Sequence, residues 1–128
     1  MPVDNLSLPT LDTRILEMAS GDCAFLIEVC DSFLADAPAR VEAVKAAIAA
    51  DRPSVLRDAA HAMKSLSGCV GAMSLLNVCR QMETAGKSNN IELAQEMIEQ
   101  LRTEYENAQM AIQDYKTTLQ VDSDTAQY

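Results

Sequence analysis

The sequence predicts an all-α fold: an antiparallel up-down four-helix bundle with an additional short helix at its N-terminus and a second helix kinked near Pro38. Three observations carry that expectation. Hydrophobic residues make up 48% of the 128 residues while aromatics make up 4% and Trp is absent. The core must then be aliphatic, built from Ala, Leu, Ile, Val and Met, which is the composition of a helical bundle. Four glycines and four prolines, with no alternating β-branched runs, leave few places for strands or hairpins. Finally, the stripe Ile91, Ala94, Ile98, Leu101, Tyr105, Ala108, Ile112, Tyr115, Leu119 alternates the spacings of a bundle seam.

Taken in order, residues 1–9 form an irregular lead containing Pro2 and Pro9. A short helix from about Leu11 to Ala19 is expected to bury Leu11, Ile15 and Met18 and to end at Gly21. Asp22 can cap the next helix, whose apolar positions Leu26, Val29, Phe33, Ala37, Val41, Val44 and Ile48 keep one phase across Pro38. That continuity favours a single helix kinked where proline deletes a backbone bond; two abutting helices capped at Asp36 are the alternative. Asp51-Arg52-Pro53 breaks the chain, and Pro53 suits the first position of a helix over about 53–70. Gly71 allows a turn or a close backbone approach, after which Leu75, Val78, Met82 and Ala85 mark a helix ending at Gly86. Lys87-Ser88-Asn89 reads as a polar loop and Asn90 as the cap of the last helix. Residues 120–128 read as a flexible polar tail, so the bundle occupies 10–119, with no repeat or second domain.

A net charge of −9 argues against binding nucleic acid or an anionic membrane by bulk electrostatics. No apolar run approaches the roughly 20 residues of a membrane span, and Met1-Pro2-Val3-Asp4-Asn5 lacks the basic and apolar regions of a secretory signal. A cytoplasmic monomer is expected. Cys23, Cys30, Cys69 and Cys79 fit neither a zinc pattern nor a redox Cys-x-x-Cys and read as reduced, buried thiols.

The chain has one histidine, His61. On a helical wheel Leu56, Ala59, Ala60, Met63, Leu66 and Val70 fall within roughly 60° of Met63, and His61 lies about 160° away, on the outer face. It shares that face with Ser54, Arg57, Lys64, Ser65 and Gly68. Three of these are small, and a mid-helix glycine costs about 1 kcal/mol relative to alanine. Such a cleared collar would let a macromolecular partner bring its own reactive group against the ring.

Among the chemistries open to this imidazole, metal binding lacks partners, since Asp58 is the only acid within one turn on the helix and there is no second histidine. General-base catalysis lacks a nucleophile, because neither Ser65 nor Ser67 sits in an elbow motif. Nucleophilic acceptance of a phosphoryl group remains. An exposed imidazole with the ordinary pKa near 6.5 is largely neutral at pH 7, and such chemistry needs an accessible nitrogen and charge stabilisation more than a cavity. Lys64 and Arg57, a turn to either side, could supply positive charge, with a solvated face as the alternative for both. No Gly-x-Gly-x-x-Gly, Walker loop or acidic pair placed for Mg²⁺ accompanies them, so the phosphoryl group and its metal must come from partners.

The segment His61-Ala62-Met63-Lys64-Ser65-Leu66-Ser67-Gly68-Cys69-Val70-Gly71 resembles the motif of histidine-containing phosphotransfer (HPt) domains, roughly His-x-x-Lys-Gly-[Ser/Ala]-[Ser/Ala]-x-x-x-Gly. His61, Lys64, Ser67 and Gly71 match; Ser65 stands where the family usually has Gly, and Leu66 where it usually has a small residue. The resemblance extends over about residues 10–119. It implies that His61 takes a phosphoryl group from the aspartate of one receiver domain, in a hybrid sensor histidine kinase, and returns it to that of a response regulator. It implies no cofactor of the chain's own, Mg²⁺ being held by the receiver. Lys64 becomes the electrostatic helper, Arg57 a basic neighbour at the docking face, Ser65 and Gly68 the cleared contact surface, and Lys87 a second basic contact from the neighbouring helix. It further implies an apolar docking patch formed partly by the first helices. Ile15, Met18, Phe25 and Val29 are its candidates, with the core competing for each. Two rivals stand beside this reading. The dimerising hairpin of a histidine kinase usually follows its histidine with an acidic residue, where this chain has Ala62. A helical adaptor, or a non-transferring HPt relative, would keep the receiver-docking surface alone.

Overall fold

The computed structural model describes residues 9–19 and 22–126. Within them the chain forms helices α1 (Thr13–Ala19), α2 (Cys23–Ala49), α3 (Pro53–Cys69), α4 (Met73–Lys87) and α5 (Ile91–Ala126). The last four pack as a bundle in which each touches its neighbours in sequence and α5 closes back on α2. The lead over residues 1–8 and the expected stop at Gly21 lie outside the described residues.

Short connections make the bundle antiparallel, and all three use the same backbone device. At each C-terminus one residue adopts a left-handed conformation: Asp51 (φ 55°), Gly71 (φ 74°) and Asn89 (φ 55°). The next amide then reaches back to an unpaired carbonyl of the ending helix: Arg52 to Ala47 at 3.1 Å, Ala72 to Ser67 at 2.9 Å, Asn90 to Ala85 at 2.9 Å. This is the Schellman closure, open to Gly, Asn and Asp because their side chains tolerate positive φ. Each helix therefore reverses within a few residues.

Helix α2 runs unbroken through Pro38, which excludes two abutting helices. Asp22 caps it, its carboxylate accepting from the amide of Ala24. The expected stripe is buried at Leu26, Phe33, Ala37, Val41, Val44 and Ile48, while Val29 is half-buried. On α5 the seam is buried at Ile91, Ala94, Leu101, Ala108, Ile112 and Leu119, and Ile98, Tyr105 and Tyr115 pack against it. The helical backbone continues past Leu119 to Ala126, where the sequence places a tail. Phe33, Leu56, Met63, Leu75, Met82 and Leu101 are fully enclosed. Burial of each such side chain stabilises the fold by about 1.5–3 kcal/mol. No described helix is long and apolar enough to cross a membrane.

Helix α1 corrects the sequence expectation. Leu16 is fully buried, Leu11 and Ile15 are half-buried, and Met18 is 86% exposed. Seven residues are too few for periodicity to fix a phase; here the phase is set by anchoring. The amide of Asp12 donates to the carbonyl of Gly71 at 2.7 Å, and a Cβ on Gly71 would collide with the Asp12 carbonyl oxygen. Gly71 thus serves both the turn and the close approach that its position suggested. The thiols also divide: Cys30 and Cys79 are buried, but Cys23 is half-buried and Cys69 exposed. Burial pushes the Cys79 thiol up to about 12, so it is protonated and inert.

Candidate functional site

Pro53 begins α3 at the position where its missing amide costs nothing, and the seam Leu56, Ala60, Met63 and Ser67 then turns one face of the helix into the core. His61 is carried to the opposite face, its side chain 61% exposed. Leu66 is half-buried against the core, consistent with a packing role, and Ser67 satisfies its buried hydroxyl on the carbonyl of Met63 at 2.8 Å.

Helix α4 lies against α3 and contributes a residue that the sequence reading missed. The side chain of Glu83 is 8% exposed, and its two oxygens are divided between two partners. Oε2 lies 2.7 Å from His61 Nδ1, and Oε1 accepts from Lys64 Nζ at 2.6 Å. Gly86, one turn on, allows this. A Cβ there would stand 2.7 Å from the Arg57 amide nitrogen and 2.8 Å from the Pro53 carbonyl oxygen, so only glycine lets α4 approach α3 this closely. Gly86 lies inside the last turn rather than beyond it, and its reason is contact with α3.

The hydrogen bond from Lys64 above all, then that from His61 and the nearby charges of Lys64 and Lys87, hold the Glu83 carboxyl below the usual carboxylate range; burial opposes them. An ionised carboxylate only accepts, so Nδ1 must donate, and Nε2 is left with the ring's lone pair. The sign of the linkage follows. Folding favours ionised Glu83, a stabilisation fully present above its ordinary value of 4.5 and lost as pH falls through the lower folded-state value. Urea unfolding across that acid range is expected to show the parent losing stability more steeply than Glu83→Gln; equal slopes would mean that the carboxylate gains nothing from its partners.

The other expected site residues distribute around this centre. Lys87 is exposed in the last turn of α4, near enough for its charge to act on Glu83. Arg57 is exposed, but its guanidinium pairs with the neighbouring Asp58 carboxylate at 3.2 Å. Ser65 is exposed one turn beyond His61. Gly68 is half-buried, and a Cβ there would meet Leu76 Cδ1 at 3.3 Å, so its small size serves the α3–α4 contact as well as any clearance. Of the apolar docking candidates, Met18 and Phe25 are exposed, whereas Ile15 and Val29 are half-buried. Among the described residues, no group of three His, Cys, Asp or Glu side chains is placed to hold a metal ion.

Glu83 left a faint trace in the sequence. It stands one turn after Cys79, on the flank of the Leu75, Val78, Met82 stripe, where a carboxylate becomes buried and must find a cation. Nothing local names that cation.

Comparison with known proteins places this geometry in context. The sequence model of a family described as Hpt domain matches residues 28–111, a span that includes His61, Lys64 and Glu83. The chain is similar to histidine-containing phosphotransfer protein B from Pseudomonas aeruginosa PAO1, whose crystal structure superposes with a TM-score of 0.78 at 25% identity, covering 88% of this chain and 98% of that one. No curated protein matches the chain.

Proposed function

The chain belongs to the Hpt domain family, and from that premise we propose that it relays a phosphoryl group between receiver-domain aspartates, carrying it on His61. The carrying observation is the hydrogen bond at 2.7 Å between Nδ1 and Glu83. It commits one ring nitrogen and leaves Nε2, on an exposed face, as the nucleophile.

In the step proposed, the Nε2 lone pair attacks the phosphorus of a receiver's aspartyl phosphate in line. The N–P bond forms as the P–O bond to the aspartate breaks, and the electron pair of that bond returns to the carboxylate. An aspartate of a second receiver reverses the step. Lys64, whose side chain is 27% exposed one turn from His61, offsets charge on the incoming phosphoryl oxygens, and Lys87 extends the basic edge. Ser65 and Gly68 would meet the receiver's surface, with Arg57 at its margin. The receiver's Mg²⁺ supplies charge neutralisation at the phosphoryl group; this chain contributes no ligand to it. The protein acts as a stoichiometric carrier in the cytoplasm, as a monomer between a hybrid sensor kinase and response regulators.

Incubation of the full chain with a phosphorylated receiver domain and Mg²⁺ is expected to transfer an acid-labile, base-stable phosphate to it. A receiver that binds the chain yet keeps all of its phosphate would replace the carrier with a helical adaptor.

A further inference from the structure

We propose that Arg80 heads a cationic edge that steers the anionic, phosphate-bearing pocket of a receiver onto His61, although the chain as a whole carries a net charge of −9. The inference rests on the carrier reading above. It adds a residue outside the transfer chemistry and a means by which the partner finds the correct face.

Charge is sorted between the two sides of the bundle. Helices α2 and α5 pack together on one side, α3 and α4 on the other. Over residues 23–49 α2 carries four carboxylates and two cations, and over 91–121 α5 carries six and two, so this side has a net charge of −6. Helices α3 and α4 carry two carboxylates, Asp58 and Glu83, against Arg57, Lys64, Arg80 and Lys87, so the histidine side is +2. Pairing sharpens the contrast. Lys45, Arg102 and Lys116 are tied to carboxylates of α2 and α5, Arg57 to Asp58 and Lys64 to Glu83. Among the described residues no ion pair includes Arg80 or Lys87. On the far side it is exposed carboxylates that enter no ion pair, Glu28, Asp36, Glu92 and Glu96 among them.

Helix register places Arg80 at the site. Helix α4 runs antiparallel to α3, with Gly68 against Leu76, His61 and Lys64 against Glu83, and Arg57 against Gly86. Leu76, Arg80, Glu83 and Lys87 follow one another at helical spacings of four, three and four, so they share one stripe of α4. Arg80 and Lys87, both exposed, therefore bracket the carboxylate that holds His61.

The partner follows from charge complementarity. A receiver's phosphorylated pocket sets one Mg²⁺ against the carboxylates that hold it and a phosphoryl group of nearly two negative charges, so it stays anionic. At 0.15 M salt a charge is felt over about 8 Å, whereas a helix with its side chains is about 10 Å across. A pocket arriving at His61 thus feels Arg80 and Lys87, while the carboxylates behind α3 and α4 are screened.

Association of the full chain with the phosphorylated receiver and Mg²⁺ of the transfer assay, followed by stopped flow from about 0.1 to about 1 M NaCl, tests this. The parent is expected to associate about fivefold more slowly at the high end, which is the sign of attraction. Arg80→Glu is expected to associate about fivefold more slowly than the parent at the low end, with the difference closing to within about twofold at the high end. The control makes the same change of charge on the far side, Thr103→Glu with Gln113→Glu, both exposed on α5, and is expected to stay within about twofold of the parent throughout. Circular dichroism checks that each variant is folded. Association of the parent that quickens with salt, as net charge alone dictates, overturns the steering and leaves the carrier reading standing. So does an Arg80→Glu chain no slower than the control, or one slowed equally at every salt concentration. A parent that takes no phosphate from the receiver overturns the carrier reading and the steering together.

Discussion

Glutamine at position 61 is expected to reduce phosphate acceptance by at least about a thousandfold while leaving the bundle folded. The two halves of that expectation have separate causes. Acceptance falls because an amide nitrogen has no lone pair available for attack on phosphorus, and because no second histidine exists to take over. The fold survives because the His61 side chain is 61% exposed and the Glu83 carboxylate it bonds keeps its other oxygen on Lys64. Loss or weakening of that one bond costs about 1 kcal/mol, and glutamine can itself donate to the carboxylate. Transfer from a phosphorylated receiver and a thermal melt of the same variant check both halves. Substantial loading of His61→Gln would identify another acceptor residue and remove His61 from the centre of the chemistry.

Alanine at position 86 is expected to do the reverse, striking the fold first and the chemistry through it. The added methyl would stand 2.7 to 2.9 Å from the Arg57 nitrogen, the Pro53 oxygen and the Arg57 Cα, all of them backbone atoms that cannot rotate aside. Higher helix propensity returns at most about 1 kcal/mol. Overpacking a tight contact costs about 1–3 kcal/mol and more where backbone must move, so the clash wins. A net loss of about 2 kcal/mol corresponds to a fall in Tm of roughly 5–12 °C for a domain of this size. Relief requires α4 to move away from α3, and Glu83 lies on α4 one turn before the clash. The bonds of 2.7 and 2.6 Å to His61 and Lys64 would then lengthen past hydrogen-bonding range. The variant is therefore expected to lose the Glu83 bond that fixes the His61 Nδ1 proton and to accept phosphate more slowly than the parent, with a lower Tm besides. A Gly86→Ala protein as stable as the parent, with His61 still held as Nδ1–H, would show that the close approach of the two helices does not govern the site.

Much of the bundle was legible because helix periodicity is a local property. The stripes on α2 and α5, Pro53 at a helix start, and the turns at Asp51, Gly71 and Asn89 each depend on a few consecutive residues. The outward direction of His61 follows from the same wheel that turns Met63 inward. Short stretches were less secure. Leu16 rather than Met18 is buried on α1, because the anchor that fixes its rotation is a backbone bond to Gly71, remote in sequence.

What the sequence determined by itself was therefore the set of helices, the face on which the only histidine stands, and the basic residues beside it. Glu83 was decided by the tertiary structure alone. It lies 22 residues from His61 and 19 from Lys64, on a different helix, and no propensity or motif records how far two helices rotate about their axes or how near they come. Those two quantities are fixed where the helices touch, here by a glycine against backbone. They turn an exposed imidazole with a lysine beside it into a ring whose Nδ1 is bonded to a buried carboxylate, which leaves the ring's lone pair to Nε2.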